Sequence, residues 1–405
     1  MINRRKALKS LATLPFIGSF LGANSLAANP SSAAIVSSVR RDFFKELGLR
    51  TFINAAGTYT SMTGSLMPKE VTDAISYGTT EYVNLDELQD KVGERIAELL
   101  ECEYATVSSG CFGAMSIGMA GILTGMDPKK VKQLPNTEGM RNEVIIQESH
   151  TIGYAQALTN VGAKVVKIKT ARDLEKAINK NTAMLWFLNA NTDQGAIKWE
   201  EFIALGKKYN IPTFIDCAAD VPPVENLFKF TKMGFDLVAF SGGKGIRGPQ
   251  SAGLLLGKRK YIEAARMHTP PRGETIGRGM KVNKEEVLGM LAALELYLQK
   301  DHKAEWAMWE AQIKLISDSA LKIKGVETEV HVPKYANHVP SLRIRWNQNL
   351  VKITPNEVRD QLKNGHPSIQ TVGDNSSVGI TTWMMVPGQE RIVAIRISEI
   401  LSSAT

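Results

Sequence analysis

The sequence has 405 residues, which is enough for about two domains at roughly 100–200 residues each. Hydrophobic residues make up 43% and charged residues 22% of it, so the composition is that of a globular protein and excludes a fibrous or low-complexity chain. The formal net charge is +8, but four positive charges lie in residues 1–27, which contain no acidic residue, and the rest carries only +4. This balance, without basic clusters among aromatic residues, excludes nucleic acid as an expected partner.

The first 27 residues have the pattern of an export signal, with a basic start followed by an apolar run from Leu11 to Leu21. The pair Arg4 and Arg5 resembles the twin-arginine signal, whose pathway carries folded proteins. The apolar run is too short to span a bilayer as a mature helix. We therefore expect a twin-arginine-type signal over residues 1–27, a periplasmic protein and no stable membrane span. An uncleaved lipid-facing anchor is the alternative.

A short N-terminal segment over residues 28–51 precedes an alternation of apolar strands and amphipathic helices. The predicted strands are 105–107, 144–146, 164–168, 183–188, 213–215, 237–240 and 253–256, and helical periodicity is clearest at 86–100, 112–123 and 199–209. This order is typical of an α/β fold in which helices cover both faces of a mostly parallel, seven-stranded sheet. We predict such a large domain over residues 52–283.

After residue 283 the sequence pattern changes and predicts two long helices, at 284–298 and 302–324. Strands are predicted to follow at 326–332, 341–346 and 392–398. We therefore predict a linking helix and a smaller α+β domain over residues 284–405.

The end of the first strand of the predicted large sheet meets a turn, Ser109, Gly110 and Cys111, which opens a helix rich in small residues. Such a turn offers backbone N–H groups and the positive end of a helix dipole to an anion such as a phosphate. An ordinary helix cap with glycine packing is an equally good interpretation of the turn alone.

Two further strand ends carry His150 and Asp216. A lone histidine in such a position is more often a buried structural residue than a functional one. A carboxylate at the end of an apolar strand is costly unless a cation meets it, although a helix cap would also explain Asp216.

The stretch "FSGGKGIRGPQ" places Lys244 among glycines after a buried strand that ends near Ser241. Glycines allow close approach of a ligand to the backbone, and lysine is the side chain that forms Schiff bases. A solvated lysine on a surface turn is the alternative. The three cysteines, Cys102, Cys111 and Cys217, have neither disulfide nor metal-ligand spacing, so buried thiols and no metal site are expected.

Taken together, these strand ends predict a site for pyridoxal 5′-phosphate (PLP). The cofactor needs an anchored phosphate, a surface against its ring, an acid beside its pyridine nitrogen and a lysine for its aldehyde. The sequence supplies these in the phosphate turn, His150, Asp216 and Lys244. Because ligands of such sheets bind beyond the carboxyl ends of the strands, we expect these residues to meet there.

Three segments, "IDCAAD", "FSGGKGIRGPQ" and "IGRGMKVNKEE", resemble the selenocysteine synthase (L-seryl-tRNA selenium transferase) family. They look most like its D-glucosaminate-6-phosphate ammonia-lyase branch, and the likeness runs from Phe52 to the C-terminus. The resemblance implies the fold of fold type I PLP enzymes. The tRNA-dependent members carry an additional N-terminal RNA-binding region, for which the segment before Phe52 is too short, and an exported protein would meet no seryl-tRNA. Export also argues against the phosphorylated substrate of a cytoplasmic enzyme.

The resemblance also implies roles for individual residues. Lys244 would be the Schiff-base lysine and Asp216 the partner of the pyridine nitrogen, and Ser241 would add a hydroxyl to the phosphate turn of Ser109, Gly110 and Cys111. His150 matches the histidine that stacks on the cofactor ring in related enzymes. Arg396, in "VAIRIS", matches a late arginine that grips a substrate carboxylate.

These expectations predict an ammonia lyase that acts on a small anionic amino acid or amino sugar acid. Arg278 and Lys281 could help to bind the anion, although solvated surface charge is nearly as good an explanation. A racemase, an aminotransferase, a selenium transferase-like enzyme without a tRNA domain and a non-catalytic module are the alternatives. We also expect a homodimer or a higher even oligomer, in which the loop "PPRGETIGRGMKVNKEE" brings Arg278 to the partner's site.

Overall fold

The structure is a computed structural model and describes residues 41–405. The chain divides into two units, one ending at Arg50 and one comprising Thr51–Thr405. The predicted signal over residues 1–27, with most of the predicted N-terminal segment, lies outside the described residues. None of the helices within 41–405 is long and apolar enough to cross a membrane.

The described residues form fourteen α-helices. In chain order these are α1 (Phe43–Glu46), α2 (Lys69–Gly78), α3 (Leu85–Leu100), α4 (Gly110–Thr124), α5 (Pro128–Gln133), α6 (Gln156–Thr159), α7 (Ala171–Ala177), α8 (Trp199–Tyr209), α9 (Asn226–Met233), α10 (Arg259–Arg266), α11 (Lys284–Gln299), α12 (His302–Ala320), α13 (Pro355–Asn364) and α14 (Gln389–Ser402). Only α1 belongs to the first unit.

Thirteen strands accompany them within the second unit of the described chain. They are β1 (Phe52–Asn54), β2 (Tyr104–Ser108), β3 (Glu143–Gln147), β4 (Lys164–Ile168), β5 (Thr182–Leu188), β6 (Thr213–Asp216), β7 (Leu237–Ser241), β8 (Gly253–Gly257), β9 (Val326–His331), β10 (Ser341–Trp346), β11 (Ser368–Gln370), β12 (Val372–Asp374) and β13 (Ser377–Thr381). The seven strands predicted for the large sheet are all present, as β2 to β8.

The large sheet has seven strands in the order β2-β8-β7-β6-β5-β3-β4. Only β8 runs against the others: it is antiparallel to both β7 and β2, whereas the pairs from β7 to β4 are parallel. The carboxyl ends of β2, β6 and β7 therefore lie at one edge of the sheet, beside the start of β8. The predicted α/β fold with a mostly parallel seven-stranded sheet is confirmed.

Side chains of the central strand β5 show why this sheet is buried on both faces. Leu185 and Phe187 pack in one hydrophobic core, and Met184, Trp186 and Leu188 pack in the other. Each such side chain contributes about 1.5–3 kcal/mol when it leaves water. Apolar residues at every position, with helices on both sides, are what a parallel sheet requires.

A four-stranded antiparallel sheet, in the order β12-β13-β10-β9, forms the C-terminal part together with α12, α13 and α14. The strand β1 pairs in parallel with β11, and Ile53 lies in the same hydrophobic core as Ile369. Phe52–Asn54 therefore packs with the C-terminal part, although the sequence analysis assigned it to the large domain.

The strand predicted at 392–398 is wrong, because these residues lie in the helix α14. Alternating isoleucine, valine and arginine favoured a strand in sequence. The buried residues Val393, Ala394, Ile397 and Ile400 instead follow the spacing of one helix face. The predicted second helix also ends earlier, at Ala320 and not at 324.

Candidate active site

The loop from β7 to β8 carries Lys244 and needs its glycines for close packing. A Cβ atom at Gly243 would lie 2.3 Å from the Gln250 Cα, and one at Gly245 would lie 2.0 Å from the Val221 carbonyl oxygen. No larger residue fits at these two positions without displacing backbone. The glycines thus fold the loop against the turn that follows β6, and Lys244 remains partly exposed at the edge of the sheet.

Asp216 ends β6 and is 2% exposed. Its Oδ1 accepts a hydrogen bond from the Ala218 amide at 2.9 Å and one from the Cys111 thiol at 3.4 Å. Burial raises the pKa of the Asp216 carboxyl, and these two hydrogen bonds and the charge of Lys244 oppose the rise. Both hydrogen bonds from the described residues end on Oδ1, which leaves Oδ2 for a cationic group.

The N-terminus of α4 has no capping side chain. Ser109, at the N-cap, makes no side-chain cap hydrogen bond, and Gly110 has a φ of +69° that favours glycine. A Cβ atom at Gly253 would lie 2.5 Å from the Gly110 carbonyl carbon, so β8 packs directly against this turn. The first amides of this 15-residue helix are therefore available to a phosphate.

These residues surround one cavity of about 180 Å³. The predicted residues that line it are Gly110, Cys111, Asp216, Ser241 and Lys244. Ser109 lines a narrow neighbouring crevice with Pro270 and Val282. The structure therefore brings the predicted lysine, acid and phosphate turn together at the carboxyl ends of β2, β6 and β7.

The cavity fits PLP in its donor chemistry. A free helix N-terminus and the Ser241 hydroxyl suit a phosphate, the open Oδ2 of Asp216 suits a protonated pyridine nitrogen, and Lys244 suits an aldehyde. These groups lie at or directly after the ends of β2, β6 and β7, which belong to one sheet with β8 between β2 and β7, so the sheet fixes their spacing.

His150 does not line this cavity. It is completely buried, its Nδ1 accepts a hydrogen bond from the Leu188 amide at 3.2 Å, and its Nε2 lies 3.1 Å from the Asn191 carbonyl oxygen. Its ring stands edge-on to Phe187, with the ring centroids 4.4 Å apart. Burial lowers the pKa of His150 to about 4, so the ring is neutral. In this geometry His150 holds the loop after β5 and lies outside the lining of the cavity that contains Lys244.

Two aromatic side chains, Tyr154 and Phe112, line the cavity, and neither was predicted as a site residue. Phe112 follows the phosphate turn on α4, whereas Tyr154 comes from a separate segment. Tyr154 lies on a short 3₁₀ helix, Gly153–Ala155, beyond β3, and is 62% exposed. Thr60 and Gln250 also line the cavity and were not predicted. An exposed aromatic residue on the connection after a sheet strand was the one available signal, because Tyr154 belongs to none of the segments that carry the resemblance.

Arg396 lies on α14, pairs with Glu399 and lines none of the cavities around Lys244. Arg396 was expected on a strand, but the segment 392–398 is helical and places it on α14. The structure therefore does not bring Arg396 to the site within one subunit.

Arg278 and Lys281 are exposed and line none of these cavities either. Their loop is nevertheless attached to its own subunit: Arg272 pairs with Asp86 at 3.1 Å, and a Cβ atom at Gly277 would lie 2.2 Å from the His268 carbonyl oxygen. The loop is thus packed at its base and presents Arg278 outward.

A second cavity, of about 320 Å³, adjoins the first. Thr60, Tyr154 and Lys244 line both. The second cavity extends from Lys244 to the antiparallel sheet of the C-terminal part, where Trp383 and Thr381 lie. A small molecule in it would reach Lys244 from the side away from the phosphate turn.

The turn after Asp216 also holds a wall of the second cavity. The Asp220 carboxylate accepts a hydrogen bond from the Ala336 amide at 2.9 Å, and the Asn337 amide donates to the Ala219 carbonyl oxygen at 2.7 Å. Ala336 and Asn337 have left-handed φ values of 39° and 51° and line the cavity. The turn after β6 therefore positions both Asp216 and the segment of Ala336 and Asn337 that lines the second cavity. Asp220 was not among the predicted site residues.

Comparison with known proteins agrees with this geometry. Residues 151–339 match the family model described as L-seryl-tRNA selenium transferase. The D-glucosaminate-6-phosphate ammonia lyase of Salmonella typhimurium is 25% identical over 377 residues, covering 90% of this chain and 99% of that protein. The L-seryl-tRNA(Sec) selenium transferase of Alkaliphilus oremlandii is 26% identical over 290 residues, covering 64% of this chain and 58% of that protein.

Solved structures show the same fold. A structure of D-glucosaminate-6-phosphate ammonia-lyase superposes with a TM-score of 0.79 at 24% identity, covering 90% of this chain and 99% of that one. The serine palmitoyltransferase of Sphingomonas wittichii superposes with a TM-score of 0.55 at 12% identity, covering 88% of each chain.

The fold and the site together define a PLP-dependent enzyme of fold type I, as predicted. Within this class the predicted resemblance to the selenocysteine synthase-like family is confirmed.

Proposed function

We propose that the protein is a PLP-dependent carbon–nitrogen lyase that releases ammonia from a small amino sugar acid or β-hydroxy amino acid and leaves a 2-keto acid. The observation that carries this proposal is that Lys244 lines both the cavity with Asp216 and the phosphate turn and the larger cavity beside it. The full-length match to an ammonia lyase supports it, since 99% of that relative is covered.

PLP, when bound, supplies an electron sink that stabilises negative charge at the Cα carbon of an amino acid. The residues of this chain would bind the cofactor and transfer protons. Asp216 Oδ2 would hold the positive charge of the pyridine nitrogen, and the amides of α4 would hold the phosphate. Lys244 would hold the aldehyde, and its amine would take a proton from the Cα carbon of the substrate and return one.

The overall reaction balances as follows. Loss of the Cα proton and of the β-hydroxyl removes one water molecule from the substrate. The remaining enamine takes up a proton at its β-carbon and loses one from nitrogen, which gives an imine. Hydrolysis of the imine consumes one water molecule and releases ammonia. The product is a 2-keto acid in which hydrogen replaces the β-hydroxyl. A racemase would release no nitrogen, and an aminotransferase would pass it to a keto acid.

The test is an assay of PLP-loaded protein with the D and L forms of serine and threonine and with 2-amino-2-deoxy-D-gluconate. Ammonia and 2-keto acid should form in equal amounts, and Lys244→Ala should form neither. Lys260→Ala, on the exposed surface of α10, is the matched control and should keep full activity. Inversion at Cα without ammonia, or ammonia-free transfer of nitrogen to an added keto acid, would overturn the proposal.

A further inference from the structure

The lining of the second cavity is polar but almost uncharged. Among the described residues around it, Lys244 is the one lysine or arginine, and there is no aspartate or glutamate. Hydroxyl and amide groups line it instead, supplied by Thr58, Thr60, Thr381 and Asn337 among others. Such a surface suits a ligand that carries several hydroxyl groups.

Three buried polar atoms of lining residues have no hydrogen-bond partner among residues 41–405. They are the indole Nε1 of Trp383, a residue that is 2% exposed, the hydroxyl of Thr381, a residue that is 8% exposed, and the Nδ1 of His331. The indole Nε1 stands 3.6 Å from the Cβ position of Gly57, which also lines the cavity. Leaving such groups unpaired is costly, so a donor and a hydroxyl here indicate a polar ligand.

The nearby guanidinium groups are committed to other partners. Arg247 donates to the Trp383 carbonyl oxygen at 2.6 Å, and Arg343 pairs with Glu329 at 2.9 Å. The free helix N-terminus, at Gly110, belongs to the smaller cavity. Burial and the charge of Arg343 lower the pKa of His331, the histidine of the lining, which favours its neutral form. A phosphate monoester in the second cavity would therefore lose its hydration with Lys244 as its cationic partner and no second cation beside it among the described residues.

We propose that this cavity selects an amino sugar acid with an uncharged, polyhydroxylated tail over the corresponding phosphate ester. Trp383 Nε1 donates a hydrogen bond to a tail hydroxyl, and the Thr381 hydroxyl exchanges one with another. The proposal rests on the proposed ammonia-lyase function for its reaction, while its claim about the ligand can be tested by binding alone.

The first test compares PLP-loaded protein with 2-amino-2-deoxy-D-gluconate and with its 6-phosphate ester. We expect kcat/KM for the uncharged tail to be at least about tenfold higher, which is the ratio that about 1.4 kcal/mol produces. A preference for the ester would overturn the proposal and would point to a cation from a partner subunit. If neither acid is turned over, calorimetric titration decides. Tighter binding of 2-amino-2-deoxy-D-gluconate would support the proposed ligand and contradict the ammonia-lyase function. Equal or tighter binding of the 6-phosphate ester would contradict the proposed ligand.

The second test removes each polar atom while keeping the shape of the side chain. Trp383→Phe and Thr381→Val should each raise KM or Kd for 2-amino-2-deoxy-D-gluconate about three- to tenfold. The constants for serine, which lacks the tail, should change less. Trp309→Phe and Thr382→Val are matched controls, because these neighbours are buried but do not line the cavity. Equal effects on both substrates, or no effect on the longer acid, would contradict the assigned contacts.

Discussion

At the scale of single residues, burial determines the pKa values of the carboxyl groups at the site. Asp216 is almost completely buried, and only one of its oxygen atoms is used by the Ala218 amide and the Cys111 thiol. Burial raises the pKa of the Asp216 carboxyl, and the charge of Lys244 opposes the rise only in part. A protonated pyridine nitrogen would restore the charged form, so acid and cofactor stabilise each other's charged states.

Burial also raises the pKa of Asp220, and this shift can be measured through the pH dependence of the free energy of unfolding. Burial raises the pKa of Asp220 to about 6, whereas an aspartate in an unfolded chain titrates near about 3.9. As pH rises from about 4 to about 6, the unfolded state therefore loses its proton first, and the free energy of unfolding falls.

Asp220→Asn keeps an oxygen atom for the Ala336 amide and removes this titration. Between pH 4 and pH 7 we expect the wild type to lose roughly 2 kcal/mol of stability relative to the variant. Urea unfolding at several pH values measures the difference, and the buried, neutral His150 and His268 cancel because both proteins contain them. A difference that stays constant with pH would refute the prediction.

The contrast between Tyr154 and His150 gives a second prediction at this scale. Since Tyr154 lines the cofactor cavity and His150 does not, Tyr154→Ala should weaken PLP binding about tenfold and shift its visible absorption, and Tyr154→Phe should change both less. His150→Asn should lower the free energy of unfolding by about 1–3 kcal/mol, because the Leu188 amide loses its acceptor, but keep the spectrum. The opposite pattern would restore His150 as the ring partner.

Sequence reasoning found Lys244, Asp216 and the phosphate turn because each follows a recognisable strand. It did not find Tyr154 or Asp220, whose positions depend on contacts between segments far apart in the chain. A strand end predicts which edge a residue reaches, but it does not predict which way the side chain points.

At the scale of elements, periodicity located the buried strands well, because a strand buried on both faces is apolar at every position. It failed for residues 392–398, where β-branched residues alternate with polar ones and yet form part of α14. The burial of Val393, Ala394, Ile397 and Ile400 comes from packing on the C-terminal sheet, and a local pattern of seven residues cannot report it.

The glycine-rich element around Lys244 supports a prediction about packing. Gly245→Ala would place a methyl group 2.0 Å from the Val221 carbonyl oxygen, so the loop must move away from the turn after β6. We expect a loss of about 1–3 kcal/mol in the free energy of unfolding and weaker PLP binding, measured by urea unfolding and by titration. Gly273→Ala is the control, since no atom lies within 4 Å of its Cβ position. Equal behaviour of the two variants would contradict this account of the loop.

At the scale of the whole molecule, the site is open on one side, because Tyr154 and Thr60 at its mouth are exposed. Large apolar side chains elsewhere in this unit are also exposed, such as Leu66 at 69%, Tyr77 at 70% and Tyr82 at 102%. These features support, without testing, the predicted homodimer, in which a second subunit would cover the site.

Subunit mixing checks this prediction. If Arg278 completes the partner's site, Lys244→Ala and Arg278→Ala should each be inactive. An equal mixture of the two should regain up to about a quarter of wild-type activity, since half of the dimers are mixed and each mixed dimer has one intact site of two. Native mass spectrometry of the mixture shows whether subunits exchange, because the two variants differ in mass. No recovery in exchanging dimers, or a fully active monomer in light scattering, would contradict a shared site.

The central claim is that Lys244 holds PLP at the carboxyl edge of the large sheet. Borohydride reduction of the purified protein, followed by digestion and mass spectrometry, tests it directly. The account predicts a reduced phosphopyridoxyl group on the peptide that contains Lys244, and neither this label nor the visible absorption in a folded Lys244→Ala variant. A label on another lysine, or bound PLP with no label on Lys244, would contradict it.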